Sequence, residues 1–384
     1  MGRLWDHEND VVTVVGGRGL VLIALILGAT FAVSAWLTGY LAKPGARFKI
    51  LDTPNQRSLH ATAIPRTGGL AILCGLAFGL AASLLAAHAA VGKGFLAEVA
   101  QALQTRDVLA ITTAVLLLGG ISLWSDQRHV SPVLRLSTQI LAALGLIWAG
   151  DFAVRQFNVP FMGMLEMGGF AVPFTLLFIV WMTNLYNFMD GMDGFAGGMA
   201  TIGFGFLGGL AFAWGEAGIG MLAFVVAASA AGFLMFNYPP ARIFMGDVGA
   251  VPLGFLAAAL AVKGNREKVL GLWVPIIVFS PFIVDATVVL IRRVLRGAKV
   301  WEPHREHYYQ RLVLAGWSHR KTVCVEYLLM CGWGIVAVVY KWRGEEVGHA
   351  IILALGVVVY SLLALGVGEV ERRARRLNDE QRVG

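Results

Sequence analysis

The sequence carries little charge for its length. Only 14% of its 384 residues are Asp, Glu, Lys or Arg, whereas 57% are hydrophobic and the mean hydropathy is +0.70. A soluble domain has about 25% charged residues. This composition excludes a soluble globular protein and predicts an all-α polytopic membrane protein.

Cysteine is also scarce. Cys74, Cys324 and Cys331 are odd in number, lack metal-ligand spacing and lie in or beside apolar runs. The pattern excludes a disulfide framework and favours three buried core residues. A secretory signal peptide is not evident either, because the first 19 residues include acids as well as arginines. We interpret the apolar run that follows as an uncleaved spanning helix.

Long apolar runs dominate what remains. A membrane-spanning helix needs about 17–25 residues, and eleven runs approach or exceed this length. They lie near residues 20–42, 69–92, 107–124, 134–150, 170–186, 195–214, 218–236, 249–264, 270–291, 322–341 and 348–367. The sequence therefore predicts about 11 transmembrane helices in one domain over 20–367, preceded by an N-terminal segment (1–19) and followed by a basic tail (368–384).

The basic residues predict how the chain is oriented. Loops on the side of the C-terminus hold 21 Lys and Arg residues, and loops on the other side hold 10. By the positive-inside rule the N-terminus is periplasmic and the C-terminus cytoplasmic. The net charge of +7 therefore indicates contact with the lipid bilayer and not with nucleic acid, and the arginine-rich tail indicates an anchor to anionic lipid.

This orientation places the polar clusters on one membrane face. Segments 43–68, 125–134, 184–194, 237–248 and 292–321 all fall on the predicted cytoplasmic side. We therefore expect one composite site built from these loops. A transporter would be expected to bury polar groups near the membrane midplane instead.

Residues 184–194 concentrate oxygen ligands at the end of an apolar run. Asn184, Asn187, Asp190 and Asp193 recur at every third position, which is close enough to helical spacing for their oxygens to converge. Oxygen donors of this kind suit Mg²⁺ or Mn²⁺ better than zinc. The alternative is that these residues only break a helix at the membrane surface.

A second acidic position lies at the start of a later apolar run. Asp247 stands between Gly246 and Gly249, just after the helix-ending pair Pro239-Pro240. Alone, Asp247 could be an ordinary helix N-cap. Together with the segment around Asn187, it favours a metal site.

Two basic segments suit phosphate. In the first loop, Arg66 precedes Thr67-Gly68-Gly69, where a guanidinium and backbone amides could bind a phosphate group. The loop 301–312 groups His304, Arg305, His307 and Arg311. It favours an anionic diphosphate over zinc, because no third soft ligand is near and the arginines repel a cation. Nearby Asp285 is expected to pair with Arg292 or Arg293.

These segments resemble the motifs of a known family. Asp52–Gly69, Asn184–Gly194, Phe236–Gly249 and His304–Leu312 are similar, in order and topology, to the polyprenyl-phosphate N-acetylhexosamine-1-phosphate transferases of glycosyltransferase family 4. The resemblance covers most of residues 40–315. The last segment resembles the O-antigen-initiating branch more than the three-histidine run of the peptidoglycan translocase.

The resemblance implies an activity with defined partners. It implies transfer of a HexNAc-1-phosphate from a UDP-sugar to undecaprenyl phosphate, with release of UMP, at the cytoplasmic face of the bacterial inner membrane. The product would start O-antigen or another cell-surface polysaccharide. A homodimer is one option for the assembly. The rivals are the peptidoglycan phospho-MurNAc-pentapeptide transferase, an inactive paralogue, and a carrier or transporter of lipid-linked sugars.

The resemblance also implies roles for individual residues. Asn187 and Asp247 would hold Mg²⁺, with Mn²⁺ as the alternative, and Asp126, Asp190 and Asp193 would be catalytic. Substrate-binding roles are implied for Asn55, Arg57, His60, Arg66, Asn184, Phe244, His304, Arg305 and His307.

One position departs from the family. The usual Asp-Asp pair, one member of which has been proposed as the base that activates the acceptor, is here Ser125-Asp126. Serine cannot act as a base at neutral pH, but a phosphate monoester has a second pKa of about 6. We therefore expect a reduced dependence on a base, with Asp126 as a positioning group or weak base.

Overall fold

The computed structural model is almost entirely helical. It describes residues 2–48, 50–52, 63–89, 99, 101–128, 130–299, 304–343 and 346–383. The helices are α1 (Gly2–Leu41), α2 (Gly68–Ala89), α3 (Arg106–Gln127), α4 (Pro132–Gly150), α5 (Ala171–Met189), α6 (Phe195–Ala213), α7 (Ala217–Asn237), α8 (Asp247–Arg266), α9 (Trp273–Val278), α10 (Ser280–Leu295), α11 (Tyr308–Leu314), α12 (His319–Arg343) and α13 (Glu346–Val383).

Ten helices of the described chain are long and apolar enough to cross a membrane. They confirm the prediction of an all-α polytopic membrane protein. The remaining predicted run, 270–291, the ninth in chain order, forms two consecutive helices, α9 and α10, which meet at Phe279. Pro281 lies in the first turn of α10, where its missing N–H costs no helical hydrogen bond. The orientation of the termini stays a prediction.

Helix α8 forms the centre of the bundle. Of the 18-residue stretch of α8 that is apolar enough to cross a membrane, 94% is buried. Helices α3 and α5 both pack against it. Small residues allow this packing: a methyl group added at Gly254 would lie 2.7 Å from the backbone oxygen of Met182 in α5. At the start of α8, Gly249 touches the backbone of Gly69 in α2. Small residues let membrane helices approach closely in this way.

Two short hairpins supply the strands of the described chain. Strands β1 (Leu51–Asp52) and β2 (Ile64–Pro65) pair antiparallel just before α2. Strands β3 (Gln156–Val159) and β4 (Gly163–Glu166) pair between α4 and α5, at the opposite end of the bundle. Only the first hairpin lies near the predicted site.

The cysteines differ from expectation. Cys74 and Cys324 are exposed and Cys331 is half-buried, and all three thiols are free. The prediction that they belong to the core is wrong, because these residues lie on exposed or half-exposed faces of spanning helices. Such faces are apolar because they meet lipid, so an apolar run alone does not identify the buried positions.

Candidate active site

Asn187 and Asp247 meet at one end of the bundle. Asn187 lies in the last turn of α5, and Asp247 is the first residue of α8. The Nδ2 amide of Asn187 donates to Oδ1 of Asp247 at 2.8 Å. The other carboxylate oxygen, Oδ2, forms an ion pair with Arg135 of α4. Three helices thus place an amide, a carboxylate and a guanidinium in direct contact.

Asp126 adds a second carboxylate beside Asp247. It lies at the end of α3, where Arg66 donates to its backbone oxygen at 2.8 Å and approaches Oδ1 at 3.4 Å. The backbone N–H of Val248 donates to Oδ2 at 3.4 Å. The amide end of α8 therefore faces this carboxylate, and the partial positive charge of a helix N-terminus favours that arrangement.

Backbone hydrogen bonds fix the first loop against the start of α8. The N–H of Phe244 donates to the oxygen of Pro65 at 2.7 Å, and the oxygen of Phe244 accepts from Gly68 at 2.9 Å. Gly246 has a φ of 70°, and a methyl group there would collide with the backbone oxygen of Arg66. This turn requires glycine, and it positions Arg66 and Asp247 together.

Asp190 completes the acidic cluster. Burial, followed by the negative charges of Asp247, Asp126 and Asp52, raises the pKa of Asp190 to about 7, although a backbone hydrogen bond from Gly246 acts against the shift. Burial and like charges held this close both disfavour ionisation of the Asp190 carboxyl. A cation bound among these acids would relieve the repulsion.

Asn184 and Asp193 do not join this cluster. Asn184 donates to Oε1 of Gln139 at 2.6 Å and to the oxygen of Val180 at 2.8 Å. Asp193 accepts from the N–H of Ala241 at 3.0 Å and lies 3.3 Å from Nδ1 of His319. The expected convergence of all four residues is therefore wrong.

The geometry of a helix explains the divergence. Each step of three residues falls about 60° short of a full turn, and this offset lets the amide of Asn184 bond Gln139 of α4 while Asn187 bonds Asp247 of α8. The helix also ends at Met189, and beyond that residue helical spacing no longer predicts direction. Asn184 and Asp193 brace neighbouring segments in the structure, and the catalytic role of Asp193 and the substrate-binding role of Asn184 stay predictions.

Asp285 binds the loop that carries His304 and His307, called the histidine loop below. Nδ1 of His307 lies 3.1 Å from Oδ1 of Asp285, and the N–H of Tyr308 donates to Oδ2 at 3.0 Å. The expected pairing of Asp285 with Arg292 or Arg293 is wrong, since Arg293 bonds Glu306 at 2.5 Å instead. The arginines nearest to Asp285 in the chain do not predict its partner, because its carboxylate contacts His307 and Tyr308 in a different segment.

The same loop touches the turn that carries Asp190. The ring of Tyr309 lies 4.7 Å from that of Phe195, and its hydroxyl occupies the space where a side chain at Gly191 would stand. Burial, with the nearby His307 and Arg293, lowers the pKa of His304 to about 4, against the pull of Glu306. His304 is therefore neutral at pH 7 and can contribute hydrogen bonds but no charge.

The remaining predicted residues fall into two groups. Arg305 lines a cavity with Arg292 and Arg296 on the far side of α11. Asn55, Arg57 and His60 lie outside the described residues.

The donor set suits a hard cation. Among the described residues no three His, Cys, Asp or Glu side chains are grouped as a metal site. Mg²⁺ needs less than this, because it is typically held by one or two carboxylates, waters and substrate phosphates. The Asp247 carboxylate, the Asn187 amide and the crowded Asp190 fit that requirement, whereas soft zinc ligands are not gathered here.

Sequence reasoning did not assign functional roles to Arg135 and Gln139. They stand four residues apart in α4 and reach Asp247 and Asn184 respectively. Two polar residues one turn apart on an otherwise apolar helix signal a polar face directed at a neighbouring helix. His319, the contact of Asp193, precedes an apolar run and gave no comparable signal.

Comparison with known proteins agrees with this architecture. The model of glycosyl transferase family 4 matches residues 108–265, which include Asp126, Asn187 and Asp247. A probable undecaprenyl-phosphate N-acetylglucosaminyl 1-phosphate transferase of Bacillus subtilis is 33% identical over 308 residues, which cover 79% of this chain and 81% of the relative.

Two further relatives match over different lengths. The decaprenyl-phosphate N-acetylglucosaminephosphotransferase of Mycobacterium tuberculosis is 29% identical over 376 residues, which cover 86% of this chain and 87% of that protein. The phospho-N-acetylmuramoyl-pentapeptide-transferase of Levilactobacillus brevis is 30% identical over 219 residues, which cover 53% and 65%. The extent of the Bacillus subtilis match, together with the family model, shows that this multi-pass membrane protein is a transferase belonging to glycosyl transferase family 4.

Proposed function

We propose that the protein transfers a HexNAc-1-phosphate from a UDP-sugar to a polyprenyl phosphate, releasing UMP and forming a lipid-diphosphate sugar. The observation that carries the proposal is the contact of Asn187, Asp247 and Arg135 beside Asp126 and Arg66. Carboxylates and guanidinium groups alternate there at the ends of spanning helices. The relatives named for transfer to undecaprenyl and decaprenyl phosphate support it.

The reaction brings two anions together. The phosphate of the acceptor attacks the phosphorus bonded to the sugar oxygen in the donor diphosphate, and the bond to UMP breaks. A Mg²⁺ ion, when bound, supplies charge neutralisation for the diphosphate and the departing UMP. We assign its protein ligands to Asn187 and Asp247, with Asp190 beside them.

Arginine completes the neutralisation. The side chains of Arg66 and Arg135 are 28% and 33% exposed, although each already contacts a carboxylate. They hold Asp126 and Asp247 in place and keep guanidinium N–H groups within reach of a phosphate that enters the cluster. Charge-assisted hydrogen bonds of this kind are among the strongest a protein makes to phosphate.

Asp126 is the group we place beside the acceptor. Its Oδ2 atom already accepts from Val248, so the carboxylate is oriented rather than free to rotate. Around neutral pH much of a phosphate monoester is already a dianion. Asp126 therefore positions the acceptor and takes its remaining proton only when the acceptor arrives as a monoanion.

The membrane setting fits this chemistry. The acceptor's hydrocarbon chain stays in the bilayer while its phosphate reaches a site at the helix ends. We propose that the site lies at the cytoplasmic side of the bacterial inner membrane, where UDP-sugars are available, and the excess of basic residues on this face supports that orientation. We further propose that the product starts O-antigen or another cell-surface polysaccharide.

Two observations weigh against the rivals. The pentapeptide transferase covers only about half of this chain, whereas the N-acetylglucosamine enzymes cover most of it. A transporter would bury its polar groups near the midplane, but the acids described here cluster where helices α3, α5 and α8 begin or end. An inactive paralogue would not need to retain this arrangement of Asn187, Asp190 and Asp247.

The test is a direct assay. Purified full-length protein is incubated with UDP-GlcNAc and undecaprenyl phosphate, and UMP release is measured with and without EDTA. We expect release that depends on both substrates, is abolished by EDTA and is restored by Mg²⁺. A screen of UDP-GlcNAc against 6-deoxy relatives such as UDP-FucNAc and UDP-QuiNAc then identifies the donor, and UDP-MurNAc-pentapeptide tests the rival. UMP release from none of these donors would refute the proposal.

A further inference from the structure

Two cavities meet at Arg292, outside the candidate active site. The first, of about 930 Å³, lies among α9, α10, α11, α12 and α13 and is walled mostly by apolar side chains. The second, of about 430 Å³, lies where α10, the histidine loop, α11 and the C-terminal part of α13 come together. Arg292 lines both, so a mostly apolar cavity and a polar cavity adjoin at this residue.

The second cavity is strongly cationic. Among the described residues that line it, Glu306 and Glu371 are the acids, and each is already bound: Glu306 by Arg293 and Arg296 at 2.5 Å, Glu371 by Arg311 at 2.7 and 2.8 Å. Its basic wall consists of Arg292, Arg296, Arg305, Arg311 and Arg375. The cavity therefore keeps an excess of positive charge after its internal ion pairs are formed.

Helix α11 separates these cavities from the active site. Tyr308 and Leu312, one turn apart, line the apolar cavity. Tyr309 points the other way, against Phe195 and Gly191. A phosphate bound in the arginine cavity would have α11 between it and Asp190, so it is not positioned to react there.

We propose that the two cavities together bind one anionic diacyl phospholipid that is not a substrate. The acyl chains occupy the apolar cavity, and the headgroup phosphate lies among Arg292, Arg375 and their neighbours. The charge of the second cavity selects an anionic headgroup, and its continuity with an apolar space selects a lipid over a soluble phosphate. The bound lipid would pack against Tyr308 and so support the helix whose opposite face touches the active-site turn.

The acids that line the apolar cavity allow a test of whether the bound ligand is anionic or cationic. Asp285 is bound by His307 and Tyr308, which leaves Glu326 as the other acid in that wall. If the ligand is anionic, Glu326→Gln removes repulsion and retains or strengthens binding. If the ligand were a cationic amphiphile, the same variant would weaken binding.

The experiment uses the full-length protein in detergent with phosphatidylglycerol or phosphatidylcholine, and native mass spectrometry counts retained lipid. We expect one phosphatidylglycerol to be retained in preference to phosphatidylcholine. Arg292→Gln and Arg375→Gln should each lower its apparent affinity about fivefold. Arg376→Gln is the matched control, because the adjacent arginine makes the same charge change but does not line the cavity. Unchanged thermal unfolding in lipid-free detergent establishes that each variant is folded.

Three results would overturn the proposal. If Arg376→Gln lowered the affinity for phosphatidylglycerol equally, the lipid would be attracted to the basic surface in general and not bound in the cavity. No preference for phosphatidylglycerol would mean that the cavity has no anionic ligand. Stoichiometric displacement by undecaprenyl phosphate, lost in the same Arg292 and Arg375 variants, would mean that the cavity belongs to the acceptor. The UMP-release assay is independent of all three, so this proposal and the proposed function can fail separately.

Discussion

The side chains of Asn187 and Asp247 are in hydrogen-bond contact at 2.8 Å, although 60 residues separate them in the chain. One ends a spanning helix and the other begins one, so both must lie at the same membrane face. A pair of ligands that faced opposite compartments, or that stood too far apart to share one ion, would have excluded the proposed chemistry. The contact satisfies the geometric requirement.

Removing either member of this pair should abolish turnover. For Asp247→Asn and Asn187→Ala we expect kcat for UMP release to fall by at least about 10², the usual scale for losing a group that stabilises the transition state. Mn²⁺ binding followed by electron paramagnetic resonance should weaken in parallel. Asp151→Asn, an exposed acid near the opposite end of the bundle, is the control. Normal metal binding with lost turnover would contradict the assignment of these residues as ligands.

Restoring the family's acidic pair should change the pH profile. Ser125→Asp adds a carboxylate beside Asp126 that can accept the acceptor's proton below about pH 6, where the phosphate becomes a monoanion. We expect the ratio of turnover at pH 5.5 to turnover at pH 7.5 to rise relative to wild type. Ser125→Asn has a similar shape without the basic oxygen and should leave the ratio unchanged. Identical profiles for all three proteins would remove the argument for reduced dependence on a base.

Asp190 should make the metal-free protein less stable as the pH rises. Folding raises the pKa of this carboxyl from its ordinary value of about 4 to about 7. Between those values the folded state binds more protons than the unfolded state, so stability falls as the pH rises through this window. Thermal unfolding in EDTA from pH 4.5 to 8 should show this fall, and Asp190→Asn should reduce it. Added Mg²⁺ should restore stability most at the upper end. A pH dependence identical in Asp190→Asn and wild type would contradict the crowding of acids described here.

An ion cluster at the opposite face should contribute strongly to stability. Asp107 at the start of α3 pairs with Lys263 at 3.0 Å and with Arg266 at the end of α8, and their side chains are only 9–26% exposed. Glu267 also contacts both cations, so Asp107→Ala removes one of their two acids, a change that costs about 1.5–3 kcal/mol, the scale of a hydrogen bond to a charged group.

A surface pair gives the matched control. Asp151 and Arg155 also form an ion pair, but their side chains are 69% and 70% exposed. Such a pair contributes about 0–1 kcal/mol, so Asp151→Asn should barely shift the thermal unfolding temperature; asparagine removes the charge and tolerates the left-handed backbone of this residue, whose φ is 53°. Equal shifts for Asp107→Ala and Asp151→Asn would show that burial of the cluster does not matter.

The sequence predicted the membrane architecture well because the signal is physical and local. An apolar run of sufficient length must span or be buried, and polar residues at the ends of such runs must meet at a surface. Asn187 and Asp247 were identifiable for that reason. The broken helix at Phe279 was not, because prolines near a run do not say whether the helix bends, tilts or stops.

The finer arrangement of the site depends on contacts between distant segments. Nothing next to Asp285 in the chain indicates that it would hold His307, and nothing near Asp193 indicates Ala241. Arg135 could have been found from its spacing with Gln139. The direction of Asp193 could not, because it depends on where α5 ends, and helix ends are the least certain feature of a sequence pattern.

The contact between Gly69 and Gly249 sets a distance that no side chain mediates. Where two helices touch through backbone atoms alone, their separation does not change with rotamer or with the fit of a long side chain. The residues flanking this point, Arg66 and Asp247, should therefore keep their spacing when the surrounding lipid thins, thickens or warms. If the proposed reaction takes place here, the site where its anions would meet is insulated from the physical state of the membrane that would deliver one of them.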